Sequence, residues 1–168
     1  NHTLYCYNEI INYPEEPSRK GYTFVGWDNR DGIAKDNLVI KALYEINSYD
    51  IVYNLNGGEI EDAPSSYNIE EKIIVPKPEK KGYNFIGWIQ KKDDNLIENY
   101  EIPKNTIGDI ELTANYEPIT YKLIFNTNGA IEELEPKEIK YDSNFGELYS
   151  VTKKGYNFIS WTDKDNVE

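Results

Sequence analysis

The sequence predicts a strand-dominated protein built from small modules in tandem, and three observations point there. A signature Gly-Tyr-x-Phe-x-Gly/Ser-Trp occurs three times, at Gly21–Trp27, Gly82–Trp88 and Gly155–Trp161. Short segments alternate apolar and polar residues and close on Asn-Gly, as half-buried strands do when they end in turns. No stretch sustains the i, i+3, i+4, i+7 apolar spacing over three turns that a core helix needs, so helix content should be low.

Superposing the three Trp residues divides the 168-residue chain into three units. Unit one, 1–47, is partial and lacks a first strand. Unit two, 48–118, is complete. Unit three, 119–168, is partial and lacks a last strand. A module of roughly 70 residues stabilises a single core only marginally. The heavy use of Tyr, Phe and Trp fits that need, since each ring buries on the order of 150–250 Å².

Each unit is read as four extended segments. The first is Tyr49–Gly58 in unit two and Tyr121–Ala130 in unit three. Ile51, Tyr53 and Leu55, and likewise Leu123, Phe125 and Thr127, occupy alternate positions. Asn56-Gly57 and Asn128-Gly129 then tolerate positive φ and should turn the chain. The second segment centres on Tyr7, Tyr67 and Tyr141. The connection after it carries Pro14 and Pro17, or Pro76 and Pro78, which lack backbone donors and belong at an edge or in a loop.

The signature is the third segment, opened by Arg19-Lys20, Lys80-Lys81 and Lys153-Lys154. Simple alternation puts Tyr22, Phe24 and Gly26 on one side, with Val25 and Trp27 on the other. The small residues Gly26, Gly87 and Ser160 predict a close crossing at that point. The fourth segment is 38–45 in unit one and 110–117 in unit two, where Ala42 and Tyr44 match Ala114 and Tyr116. Between the third and fourth segments of unit two, Asn105–Asp109 has turn chemistry and Asn95–Tyr100 suits one helical turn. The linkers, Glu45–Ser48 and Glu117–Thr120, are too short to tether loosely, so neighbouring units should hold a restricted angle.

Composition excludes several functions. Thirty acidic against eighteen basic residues give a net charge of −12, which would repel a phosphate backbone and argues against nucleic acid. No apolar run is long enough to span a membrane. The chain contains no Met, so it is expected to be part of a longer protein whose targeting signals lie outside it. Cys6 is the sole cysteine, which excludes an internal disulfide or a four-cysteine zinc site. His2 is the sole histidine and sits at a terminus, which disfavours a Ser-His-Asp or Cys-His arrangement. No catalytic, cofactor-binding or metal-ligating residue is assigned.

Four features have competing readings. Trp27, Trp88 and Trp161 could stack on sugar rings or close the core of each module. The dibasic pairs could meet sulfated glycans or phosphates, or be solvated turn residues. Asp28–Gly32, Asp93–Asn95 and the run at 163–168 could offer oxygens to Ca²⁺ but fit no EF-hand spacing, and acidic turns are the plainer reading. Cys6 should pack as a small hydrophobe, with an intermolecular bridge as its other use.

The ordered set of Tyr49–Gly58, Lys80–Trp88 and Ile110–Tyr116, recurring in part in the other units, resembles the Listeria-Bacteroides repeat, also called the internalin B-type B-repeat. That resemblance implies α+β, strand-dominated, β-grasp (ubiquitin-like) modules in an elongated tandem array on secreted or wall-attached bacterial surface proteins. It implies no enzymatic activity and no cofactor. The implied role is a stalk, spacer or adhesive region facing a host or bacterial surface protein or glycan, and the alternative is a carbohydrate-binding module using exposed Trp or Tyr. An incomplete unit could also take a strand from a neighbouring chain. Ser160 and Ala130 depart from the family pattern.

Overall fold

A computed structural model describes residues 4–28 and 32–162. His2, Asn29–Asp31 of the first acidic turn and the acidic run at 163–168 lie outside the described residues. Unit one forms β1 (Tyr22–Trp27) and β2 (Ala42–Ile46), an antiparallel pair. Unit two forms β3 (Ser48–Asn54), β4 (Ser66–Asn68), β5 (Ile73–Ile74), β6 (Tyr83–Gln90), β7 (Leu96–Ile97), β8 (Glu101–Ile102) and β9 (Ile110–Pro118). Unit three forms the antiparallel pair β10 (Thr120–Leu123) and β11 (Lys137–Lys140).

No helix occurs among the described residues, so the α+β class implied by the resemblance is corrected to mostly β. The helical turn expected at Asn95–Tyr100 is also corrected. Its Leu96 and Ile97 form β7, paired with Ile89 and Trp88 along the edge of β6. Six residues cannot offset the cost of nucleating a helix, whereas two apolar residues can pair with a strand that already exists.

The main sheet of unit two has the order β4-β3-β9-β6-β7. Its central pair, β3 and β9, is parallel from Ile51↔Ile110 to Asn54↔Thr113, and its other neighbours are antiparallel. The β5–β8 ribbon adds Ile102, with Val75 and Tyr100 beside it, to one apolar cluster that also holds Ile51, Tyr67, Trp88, Ile110, Leu112 and Ala114. Trp88, Leu112 and Ala114 are fully buried.

The signature strand does not alternate simply. Pairing skips Val25 between Phe24↔Tyr44 and Gly26↔Leu43, and skips Ile86 between Phe85↔Tyr116 and Gly87↔Asn115. This β-bulge returns Trp to the same side as Phe, contrary to the alternation expected for Trp27. The Phe24–Trp27 and Phe85–Trp88 ring centroids both lie 5.4 Å apart, edge to face. Gly87, at φ 150°, accommodates the bend where β7 crosses, and a Cβ there would lie 2.9 Å from Leu96 Cδ1. The expected close crossing therefore exists in unit two. At Gly26 nothing lies within 4 Å of such a Cβ.

Unit three diverges most. Its signature, Gly155–Trp161, forms no strand, and only a bridge between Lys153 and Tyr156 remains. Among the described residues no fourth strand is present to pair with it, and β10 ends at Leu123, whereas the equivalent β3 continues to Asn54 with Ile51–Asn54 paired to β9.

Candidate functional site

The three indoles occupy three separate aromatic clusters. Trp27 stacks on Tyr13 at 5.8 Å and 7° and meets Phe24. Trp88 meets Tyr53 at 5.6 Å as well as Phe85. Trp161 meets Phe125 at 5.1 Å and Phe158 at 5.6 Å. Trp88 is sealed from solvent, and its Nε1–H has no acceptor among the described residues, so packing holds it. Trp161 is half-buried and its Nε1–H donates to the Tyr149 carbonyl at 2.6 Å. Trp88 therefore serves the core of its unit, whereas Trp27 and Trp161 pack on neighbouring rings and stay half-buried.

The first basic residue of each dibasic pair is structural. The Arg19 guanidinium lies 3.7 Å from the Tyr22 ring centroid, the Lys80 ammonium 4.4 Å from that of Tyr83, and the Lys153 ammonium 4.8 Å from that of Tyr156. Lys80 also donates to the Asn56 carbonyl at 2.8 Å and Lys153 to the Asn128 carbonyl at 2.7 Å. Each lysine thus ties the Asn-Gly turn of its own unit to the signature. The open recess beside Lys80 and Lys81 also contains Glu59, Glu61 and Glu79, carboxylates that would repel a sulfate group.

Asp93 and Asp94 form a turn, with both backbone N–H groups donating to the Gln90 carbonyl and Asp94 at φ 49°. Cys6 is exposed, so its expected packing is corrected. It sits in a turn where Glu9 accepts from its backbone N–H at 2.6 Å and the Glu9 N–H returns to its carbonyl at 3.0 Å. That polar turn holds the side chain outside the core.

A repeated junction was only partly legible in the sequence. Asn47 alone separates β2 from β3, and Ile119 alone separates β9 from β10. Each of these residues donates its backbone N–H to the carbonyl of the preceding motif glycine: Asn47 to Gly21 at 3.0 Å, and Ile119 to Gly82 at 2.9 Å. Across the first junction Gly21 abuts Ile69, Tyr22 donates to the Glu70 carboxylate, and Lys20 donates to the Asn105 carbonyl at 3.0 Å. That acceptor carboxylate raises the pKa of the Tyr22 phenol. Across the second junction Gly82 abuts Tyr141, whose ring meets Tyr83 edge to face at 5.5 Å. Both motif glycines have positive φ, and a Cβ would collide with the next unit, so they serve the junction as well as the turn.

The sequence matches the Listeria-Bacteroides repeat domain over residues 1–37, 49–115 and 121–168. The chain belongs to this family. Among relatives of this repeat protein, a "Putative membrane protein" of Evansella cellulosilytica is 29% identical over 164 residues, covering 90% of this chain and 24% of the relative. Internalin H of Listeria monocytogenes is 28% identical over 120 residues, 65% of this chain and 22% of that protein. The chain thus spans about a quarter or less of the length of either relative. No solved structure matches it.

Proposed function

We propose that this chain is a non-enzymatic stalk and adhesion segment of a bacterial cell-surface protein, built of β-grasp modules set end to end. The carrying observation is the repeated junction, in which a single residue links the last strand of one unit to the first strand of the next and bonds back to the motif glycine. Such a link restricts the angle between units and favours extension. The β-grasp reading is supported by strand order in unit two, second-first-last-third-fourth, with first and last parallel. Likeness to internalin H, and to a protein whose name places it at a membrane, supports the surface location.

Outside the cell the array would project a neighbouring domain or touch a host or bacterial surface protein or glycan. The outer edge of β2, which pairs with β1 alone, is where a strand from a neighbouring chain would add. The glycan-binding alternative has no comparable support, since the Trp88 ring is sealed and the Trp161 N–H is already bonded.

Small-angle scattering tests the stalk. A compact chain of this length has a radius of gyration of about 15 Å. The proposal predicts a value well above that and an asymmetric distance distribution; a compact value overturns it.

A further inference from the structure

We infer that unit two is a mechanical clamp, in which tension along the array is resisted in shear by the parallel pair β3–β9. As a biological role this rests on the stalk reading, although the mechanics of the module can be measured whether or not that reading holds.

Load has a direct route into the pair. The chain enters unit two through Asn47 into β3 and leaves from β9 through Ile119 into β10, with no slack loop at either end. The two strands are neighbours and parallel. Pulling β3 from its start and β9 from its finish slides them in opposite directions along their own axes, so all bonds between them are loaded together. An antiparallel pair pulled from one end would instead open bond by bond. Among the described residues no other strand pair is parallel.

Bonds outside the ladder lengthen the clamp. The Ile51 N–H donates to the Ser65 carbonyl on the β4 side, so by alternation the Val52 and Asn54 N–H groups face β9. Ahead of the ladder the Asp50 N–H donates to the Asp109 carboxylate at 2.9 Å. Beyond it the Asn56 amide donates to the Ala114 carbonyl at 2.8 Å, and the Tyr116 hydroxyl donates to the Leu55 carbonyl at 3.1 Å. On the core side Ile51, Ile110, Leu112 and Ala114 are buried, which keeps water from replacing the strained bonds one at a time.

Force spectroscopy in two pulling geometries tests this, with Cys6→Ser removing the native thiol. In the first, the chain is stretched from its two ends. In the second, it is stretched between Lys81→Cys and Glu117→Cys, exposed positions beside the Tyr83↔Pro118 pair, so that β6 peels from β9. The clamp predicts a rupture force several-fold higher in the first geometry at equal loading rate, releasing roughly 240 Å of chain. Val52→Pro removes one N–H of the clamp while its half-exposed side chain spares the core, and should lower the first force but not the second. Equal forces in the two geometries, or a first force unmoved by Val52→Pro, would overturn the inference. A compact scattering profile together with a high shear force would remove the stalk and leave the clamp standing.

Discussion

Unit two and unit three carry nearly the same signature, GYNFIGW and GYNFISW, yet the first is part of an eight-residue strand and the second forms none. Unit one, with GYTFVGW, falls between them: its strand exists but its Trp27 is only half-buried. The variable that follows this order is the fourth segment. In unit two β9 lies between β3 and β6; in unit one β2 pairs with β1 alone; in unit three the described residues hold no such strand. The signature supplies rings and a bulge, and the fourth strand turns them into a sheet. Strand propensity is thus realised only where a partner presents backbone groups and a buried face.

Several experiments would break or sharpen this comparison. The largest effect is expected from Trp88→Ala, at about 3–5 kcal/mol, comparable to all that a core of this size supplies. Unit two should be unfolded in urea titrations of that variant. Trp27→Ala, made at a half-buried ring, should shift its transition much less, and equal losses would contradict the ranking of the units.

Alkaline pH should also single out unit two. Burial raises the pKa of the Tyr53, Tyr67, Tyr100 and Tyr116 phenols. Their hydroxyls donate to Pro64, Gly108, Gln90 and Leu55, bonds that ionisation would remove. A phenol whose folded pKa exceeds its unfolded value stabilises fully below the unfolded value, near 10, and loses that contribution as pH rises through the folded one. Phenolate absorbance should therefore show a late, cooperative step coincident with loss of strand signal.

A smaller contrast lies at the bulge glycines. Gly26→Ala and Gly87→Ala both strain a positive φ, but only the second drives a Cβ into β7. The excess destabilisation at Gly87 should be about 1–3 kcal/mol, read from paired denaturation curves. Lys80→Ala should lose about 1 kcal/mol with its turn bond and ring contact. Lys81→Ala should be nearly silent in the same assay, since an exposed surface change rarely exceeds about 0.5 kcal/mol.

Much of this plan was legible in the residues. Turns form at Asn56-Gly57 and Asn128-Gly129 as their chemistry predicts, with both Asn at positive φ, although in unit three the strand itself stops earlier, at Leu123. Placement of Pro14, Pro17, Pro76 and Pro78 outside the strands also follows from their missing donors. The bulge was missed because period-two counting ignores an extra residue. The Gly before each of the first two Trp residues was the available signal, since an isolated glycine in a strand often marks a bulge. Leu96 and Ile97 were read as helical because local sequence does not reveal that β6 leaves an edge free beside them. At the junctions the sequence showed short links, but the return bonds from Asn47 and Ile119 depend on how one unit sits against the next.

Hydrogen exchange across the three signatures measures the central claim most directly. The strand at 83–90 should be strongly protected, 22–27 moderately, and 155–161 barely, in proportion to the fourth strand each one has. Equal protection in all three would show that the signature folds without that partner, and would contradict the account.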